Sequence, residues 1–139
     1  MLVALAVVGT VSAVIGCGGS HHSTTARSPA ADSGPTGIAR AYVAARNSND
    51  ATKLCSLYVA QLRQLIGGPS GNCAAFVRRQ MAAAGNAKYA LRGVAEETST
   101  AGMATITTTR HGGTAELSIP LLRVNGAWRI ADIDQVSGF

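Results

Sequence analysis

The chain has 139 residues, with 12 Lys plus Arg against 7 Asp plus Glu, a net charge of +5 and only 4% aromatic residues. Its basic residues are dispersed from Arg27 to Arg129 with no aromatic-interleaved stripe, which argues against nucleic acid as a partner, while the positive balance suits an anionic membrane or cell-wall surface. Once an apolar start and the polar stretch behind it are set aside, about a hundred residues remain, enough for one small domain with one core.

Residues 1–16 hold no charge, and residues 2–15 are mostly Leu, Val, Ala and Ile. Crossing a bilayer takes roughly 20 apolar residues, yet here the run gives way after Cys17 to Gly-Gly-Ser-His-His-Ser-Thr-Thr. The pattern is that of a signal-peptide core rather than a span. Within it, Val14-Ile15-Gly16-Cys17 resembles the lipobox of bacterial lipoproteins. That resemblance implies cleavage before Cys17, lipidation of the Cys17 sulfur and a place on the outer face of the cytoplasmic membrane, with the bilayer as partner. The alternative is a free Cys17 behind an ordinary secretory signal or inside a buried N-terminal helix.

With Cys17 acylated, Cys55 and Cys73 are left as an even pair in an oxidising compartment, where disulfides persist. A bond between them closes a loop of about 18 residues and contributes roughly 3 kcal/mol by chain entropy. Two buried free thiols are the other reading.

Residues 17–34 hold Gly, Ser, Thr, Ala, Pro and Asp with no apolar period, so they bury too little to offset ordering and read as a lipidated Cys with a flexible tether. His21-His22 lacks a third ligand at a defined spacing, and no metal or cofactor site is expected.

From Pro35-Thr36 the spacing predicts a helix on Ile38, Tyr42 and Val43, ending at Asn47-Ser48-Asn49. Asp50 is placed to cap a second, carrying Leu54, Tyr58, Leu62 and Leu65 and stopped by Gly67-Gly68-Pro69. Ser70 or Asn72 opens a third with Cys73, Phe76, Val77 and Met81 on one face, ending at Gly85-Asn86.

Beyond Asn86 the period changes from 3.6 to 2, giving strands over residues 89–97, 103–110, 114–124 and 127–133. Asn125-Gly126 is a two-residue hairpin signal and sets Arg123 opposite Trp128 and Leu121 opposite Ile130. A similar turn at Gly112-Gly113 sets Ile106 opposite Ile119 and Thr108 opposite Leu117. One face then collects Ala104, Ile106, Ala115, Leu117, Ile119, Leu121, Trp128 and Ile130 for the helices to cover. The other carries Thr105, Thr107, Thr109, Glu116 and Ser118, with Leu122, Val124 and Ile133 as an outer apolar patch that suits a homodimer contact. Pro120 removes a ladder donor, so either a bulge bends the sheet there or the patch stays outside.

Three N-terminal helices packed on a curved four-stranded antiparallel sheet make an α+β fold over residues 35–135, with a tail at 136–139. The order is similar to the nuclear transport factor 2-like, ketosteroid-isomerase-like cone, and more closely to small actinobacterial lipoproteins of that fold. The resemblance is carried by Ala41-Tyr42-Val43-Ala44-Ala45, the spaced Cys55 and Cys73, Ala104-Thr105-Ile106-Thr107 and the run from Leu121 through Trp128 to Ile130. It implies a pocket that some members use for catalysis and others for binding.

No nucleophile with an aligned base is evident, since His111 sits at a hairpin tip beside two glycines. An isomerase or dehydratase would need a carboxylate in an apolar pocket with a hydroxyl donor, for which Asp132, Tyr42 and Tyr58 are the candidates. The preferred reading is a lipid-anchored, non-catalytic domain that binds a small apolar ligand or an envelope protein. Tyr42, Tyr58, Arg123, Trp128 and Asp132 are its candidate ligand contacts, unless the same side chains simply fill the core.

Overall fold

The computed structural model describes residues 34–132. Helix α1 (Pro35–Asn47) starts on Gly34, whose carbonyl accepts from the Gly37 and Ile38 amides, and proline at the first position costs it no bond that the helix needed. Its buried face is Ile38, Ala39, Tyr42, Ala45 and Arg46. Asp50 caps α2 (Ala51–Leu57), its carboxylate accepting from the Lys53 amide at 2.8 Å.

The second expected helix is two. At Tyr58 and Val59 the backbone is extended, and the Val59 amide donates to the Ile130 carbonyl at 2.9 Å. Tyr58 thereby forms a parallel bridge to Ile130, so the sheet takes a backbone donor that a continuous helix would have used internally. Restarting at Ala60 changes the helical phase of α3 (Ala60–Gly67): Leu62 and Ile66 are buried, and the expected core residue Leu65 is 76% exposed. A 3-10 turn, Gly68–Ser70, leads to α4 (Cys73–Ala84), capped by the Asn72 side chain and buried along Cys73, Val77 and Met81. Gly85, at φ 61°, ends it.

Four strands follow, β1 (Lys88–Glu96), β2 (Ala101–Arg110), β3 (Gly113–Val124) and β4 (Ala127–Ile130), antiparallel in that order. The β3–β4 register is the one expected, with Leu121 opposite Ile130 and Arg123 opposite Trp128. Asn125 and Gly126 both take positive φ, as the tight turn requires. The β2–β3 turn is His111-Gly112, not Gly112-Gly113, because His111 adopts φ 49° and Arg110 pairs with Gly113. Ile106 therefore faces Leu117, and Ala104 faces Ile119. The difference is two residues, which preserves which side chains point inward.

Pro120 makes no bulge, for the β2–β3 ladder runs through it without a shift. Its missing N–H lies on the β4 side, opposite Ala131. The Pro120 carbonyl accepts from the Ala131 amide at 2.9 Å, but no bond can return, and β4 stops at Ile130. The one register shift lies in β1, between Leu91 and Gly93.

Helix α1 lies on the sheet, α2 packs against α1, and α4 packs against α2 and α3. The core between them is one cluster in which Tyr42, Tyr58, Leu54, Ile106, Ile119, Leu121 and Ile130 are fully buried. Cys55 and Cys73 are joined in a disulfide, which ties α2 to the first turn of α4.

Candidate functional site

Of the five candidate ligand contacts, Tyr42, Tyr58 and Trp128 belong to the buried core cluster, and Arg123 and Asp132 are exposed. Tyr42 and Tyr58 are buried beneath the helices, 1% and 2% exposed, and Trp128 is buried on the inner face of β4. Arg123 shares that face by register but is exposed beside the turn, its Nε donating to the Gly126 carbonyl at 3.3 Å. Asp132 is also exposed. It follows the end of β4, so the alternation that would have turned it inward no longer applies.

What the fold brings together instead is Arg46 and the three tyrosines of the chain. Arg46 is only 8% exposed, four residues after Tyr42 on α1. Its Nε donates to the Tyr42 hydroxyl at 2.9 Å, and its guanidinium carbon lies 5.3 Å from the Tyr42 ring centre and 5.2 Å from that of Tyr89. Two aromatic faces flank one buried cation, a geometry that compensates part of its desolvation. Tyr89 is fixed from the same helix: the Asn47 amide donates from Nδ2 to the Tyr89 carbonyl and accepts at Oδ1 from its N–H, both at 2.9 Å. The side chain thus makes the pair of bonds that a neighbouring strand would make.

Tyr58 completes the group. Burial raises its phenol pKa above the usual value; the positive charge of Arg46 opposes that shift and Tyr89 adds to it. The phenol is therefore neutral at physiological pH and a hydrogen-bond donor rather than a base.

Arg46, Asn47 and Tyr89 were not among the sequence candidates. The i, i+4 spacing of Tyr42 and Arg46 was the available signal. It is hidden because a long basic side chain on a helix ordinarily turns to solvent.

A separate groove of about 500 Å³ lies where α2, α3 and the start of α4 meet, lined by Thr52, Cys55, Ser56, Arg63, Gln64 and Cys73 among others. The disulfide is part of its wall, and no acidic residue lines it. Among the described residues no three His, Cys, Asp or Glu side chains converge as metal ligands, and no helix is long and apolar enough to cross a membrane. Cys17 and His21-His22 lie outside the described residues. His111 occupies its hairpin tip, as expected.

No family model matches the chain, and no curated protein matches it. Among solved structures it is similar to an NTF-2 like protein of unknown function from Shewanella oneidensis MR-1. The two are 17% identical with a TM-score of 0.48, over 74% of this chain and 94% of that one.

On the geometry alone, the polar groups of this cluster bond to one another. Arg46, Tyr42 and Asn47 spend hydrogen bonds on partners inside the domain. The carboxylate that proton transfer would need, Asp132, is at the surface.

Proposed function

We propose that the chain is a lipid-anchored, non-catalytic binding or interaction domain, held through Cys17 on the outer face of the cytoplasmic membrane. The observation that carries the non-catalytic half is the contrast in burial between Asp132, which is exposed, and the tyrosines, which lie in the core. A proton-abstracting isomerase or dehydratase needs a carboxylate whose pKa is tuned by an apolar pocket, within reach of a donor that polarises the substrate carbonyl. Here the donors Tyr42 and Tyr58 are buried while the acid is exposed. The anchor rests on the apolar run ending in Val14-Ile15-Gly16-Cys17 and on the disulfide, a bond that persists in exported proteins.

Both halves have a direct test. Cys17→Ala should move the protein from the membrane to the soluble fraction, and unchanged detergent partitioning would count against lipidation. For catalysis, the protein is incubated in heavy water with a panel of enolisable ketones and 3-hydroxy thioesters. Proton exchange no faster than in buffer is expected. Exchange that Asp132→Asn abolishes would establish the alternative, a small isomerase-like enzyme.

A further inference from the structure

The net charge of the domain is concentrated in its helices. Residues 34–87 carry six cations, Arg40, Arg46, Lys53, Arg63, Arg78 and Arg79, against the single anion Asp50. Residues 88–132 carry five cations against four anions, close to balance. Of the helical cations, Lys53 on α2, Arg63 on α3 and Arg78 and Arg79 on α4 are all exposed. They lie on the three helices that pack on one another around the groove, which Arg63 lines, while α1 lies on the sheet.

One of these three helices also carries the most exposed large apolar side chain of the described residues. Leu65 on α3 is 76% exposed, against 42% and 41% for Leu122 and Val124 on the sheet. On α3, where Leu62 and Ile66 face the core, Gln64 points away from it with Arg63 and Leu65 to either side. Phe76 on α4 is only partly buried, with the Arg79 guanidinium 6.0 Å from its ring centre. Basic side chains set among apolar ones are what an anionic bilayer interface rewards: headgroups take the charge, and the acyl boundary takes the leucine. A soluble polyanion would use the cations and leave Leu65 in water.

We infer that the α2–α3–α4 surface docks on anionic phospholipid headgroups, so that the domain lies helix-side down with the sheet facing away from the bilayer. The choice of a bilayer over other polyanions rests also on the proposed anchor, which would hold the domain near one. Charge complementarity supplies the attraction, and Leu65 with the Phe76 ring supplies a shallow apolar contact.

The test uses the full chain on vesicles of phosphatidylcholine with and without phosphatidylglycerol, reading hydrogen exchange over residues 60–84. The expected result is protection that requires phosphatidylglycerol and disappears at high salt. Arg63→Glu/Arg78→Glu/Arg79→Glu should weaken it on the order of tenfold or more. The matched sheet variant Arg92→Glu/Arg123→Glu/Arg129→Glu should retain it. Leu65→Ser should weaken protection by vesicles and leave binding to a soluble polyanion such as heparin unchanged. Protection indifferent to phosphatidylglycerol, or equal losses in the two charge variants, overturns the inference. So does equal protection by heparin together with no effect of Leu65→Ser, which would point to an acidic polymer. Should the triple helix variant fail to fold, the lipid and salt dependence of the unaltered chain decides. Cys17→Ala keeps this surface, so loss of the anchor and loss of docking are read separately.

Discussion

Arg46 donates to the hydroxyl of Tyr42 one helical turn before it, and the same guanidinium rests against Tyr89 of β1, so that a single buried cation joins α1 to the sheet. Tyr42→Phe keeps the ring and removes the acceptor, leaving a buried Nε–H without that bond. A loss of about 1–3 kcal/mol is expected. Arg46→Ala should cost more, about 2–4 kcal/mol, because the space between two rings empties as well. Urea unfolding followed by Trp128 emission measures both. Equal and negligible losses would mean that the cation is a passive passenger.

Asn47 supports β1 by a different device. Its amide satisfies both the N–H and the carbonyl of Tyr89, occupying the strand edge where another chain would otherwise pair. Asn47→Ala is expected to destabilise the domain by about 1–3 kcal/mol through the two groups it abandons. It should also raise self-association at high concentration, read by sedimentation. A variant that loses stability yet stays as monomeric as the parent would remove the edge-blocking role and leave only the structural one.

The elements that local chemistry decides were legible in the sequence. Asp50 and Asn72 cap the helices they precede, and Asn125-Gly126 set the pairing of Arg123 with Trp128. The break at Tyr58 and Val59 was not legible, because its cause is the Ile130 carbonyl, far along the chain and beyond any local period. From that one hidden contact follows the misplacement of Leu65. The exposure of Asp132 has a related reason: alternation describes a strand only while it remains a strand, and Pro120 ends the pairing of β4 before Asp132 is reached. Arg46 escaped notice since patterning by hydrophobicity assigns arginine to solvent, whereas here two aromatic rings and a hydroxyl take water's place.

Reducing the Cys55–Cys73 bond should weaken the fold without abolishing it. The bond spans 18 residues and closes off the α2–α3 segment ahead of α4, so the chain-entropy contribution is about 3 kcal/mol. Cys55→Ala/Cys73→Ala is expected to lower the thermal midpoint, with the most rapid local exchange appearing in α3 and the start of α4. Mass spectrometry of the unreduced protein should find neither cysteine alkylatable. Two reactive thiols on the intact fold would reject the pairing.

The last prediction concerns alkaline pH and Tyr58. Its phenol pKa is raised by burial, against the pull of Arg46, so the folded state holds this proton more tightly than the unfolded chain does. Below the unfolded value of about 10 both states are protonated and pH has no leverage through this group. Above it the unfolded chain ionises first, the folded state binds more protons, and stability falls as pH rises until the folded pKa is passed. Unfolding midpoints measured at closely spaced pH values on either side of about 10 should therefore decline above it. Tyr58→Phe should flatten the part of that decline that belongs to this phenol, while shifting the neutral-pH midpoint by less than Arg46→Ala does. A Tyr58→Phe protein with the parent's full alkaline slope would show that the raised pKa is not what couples this fold to pH.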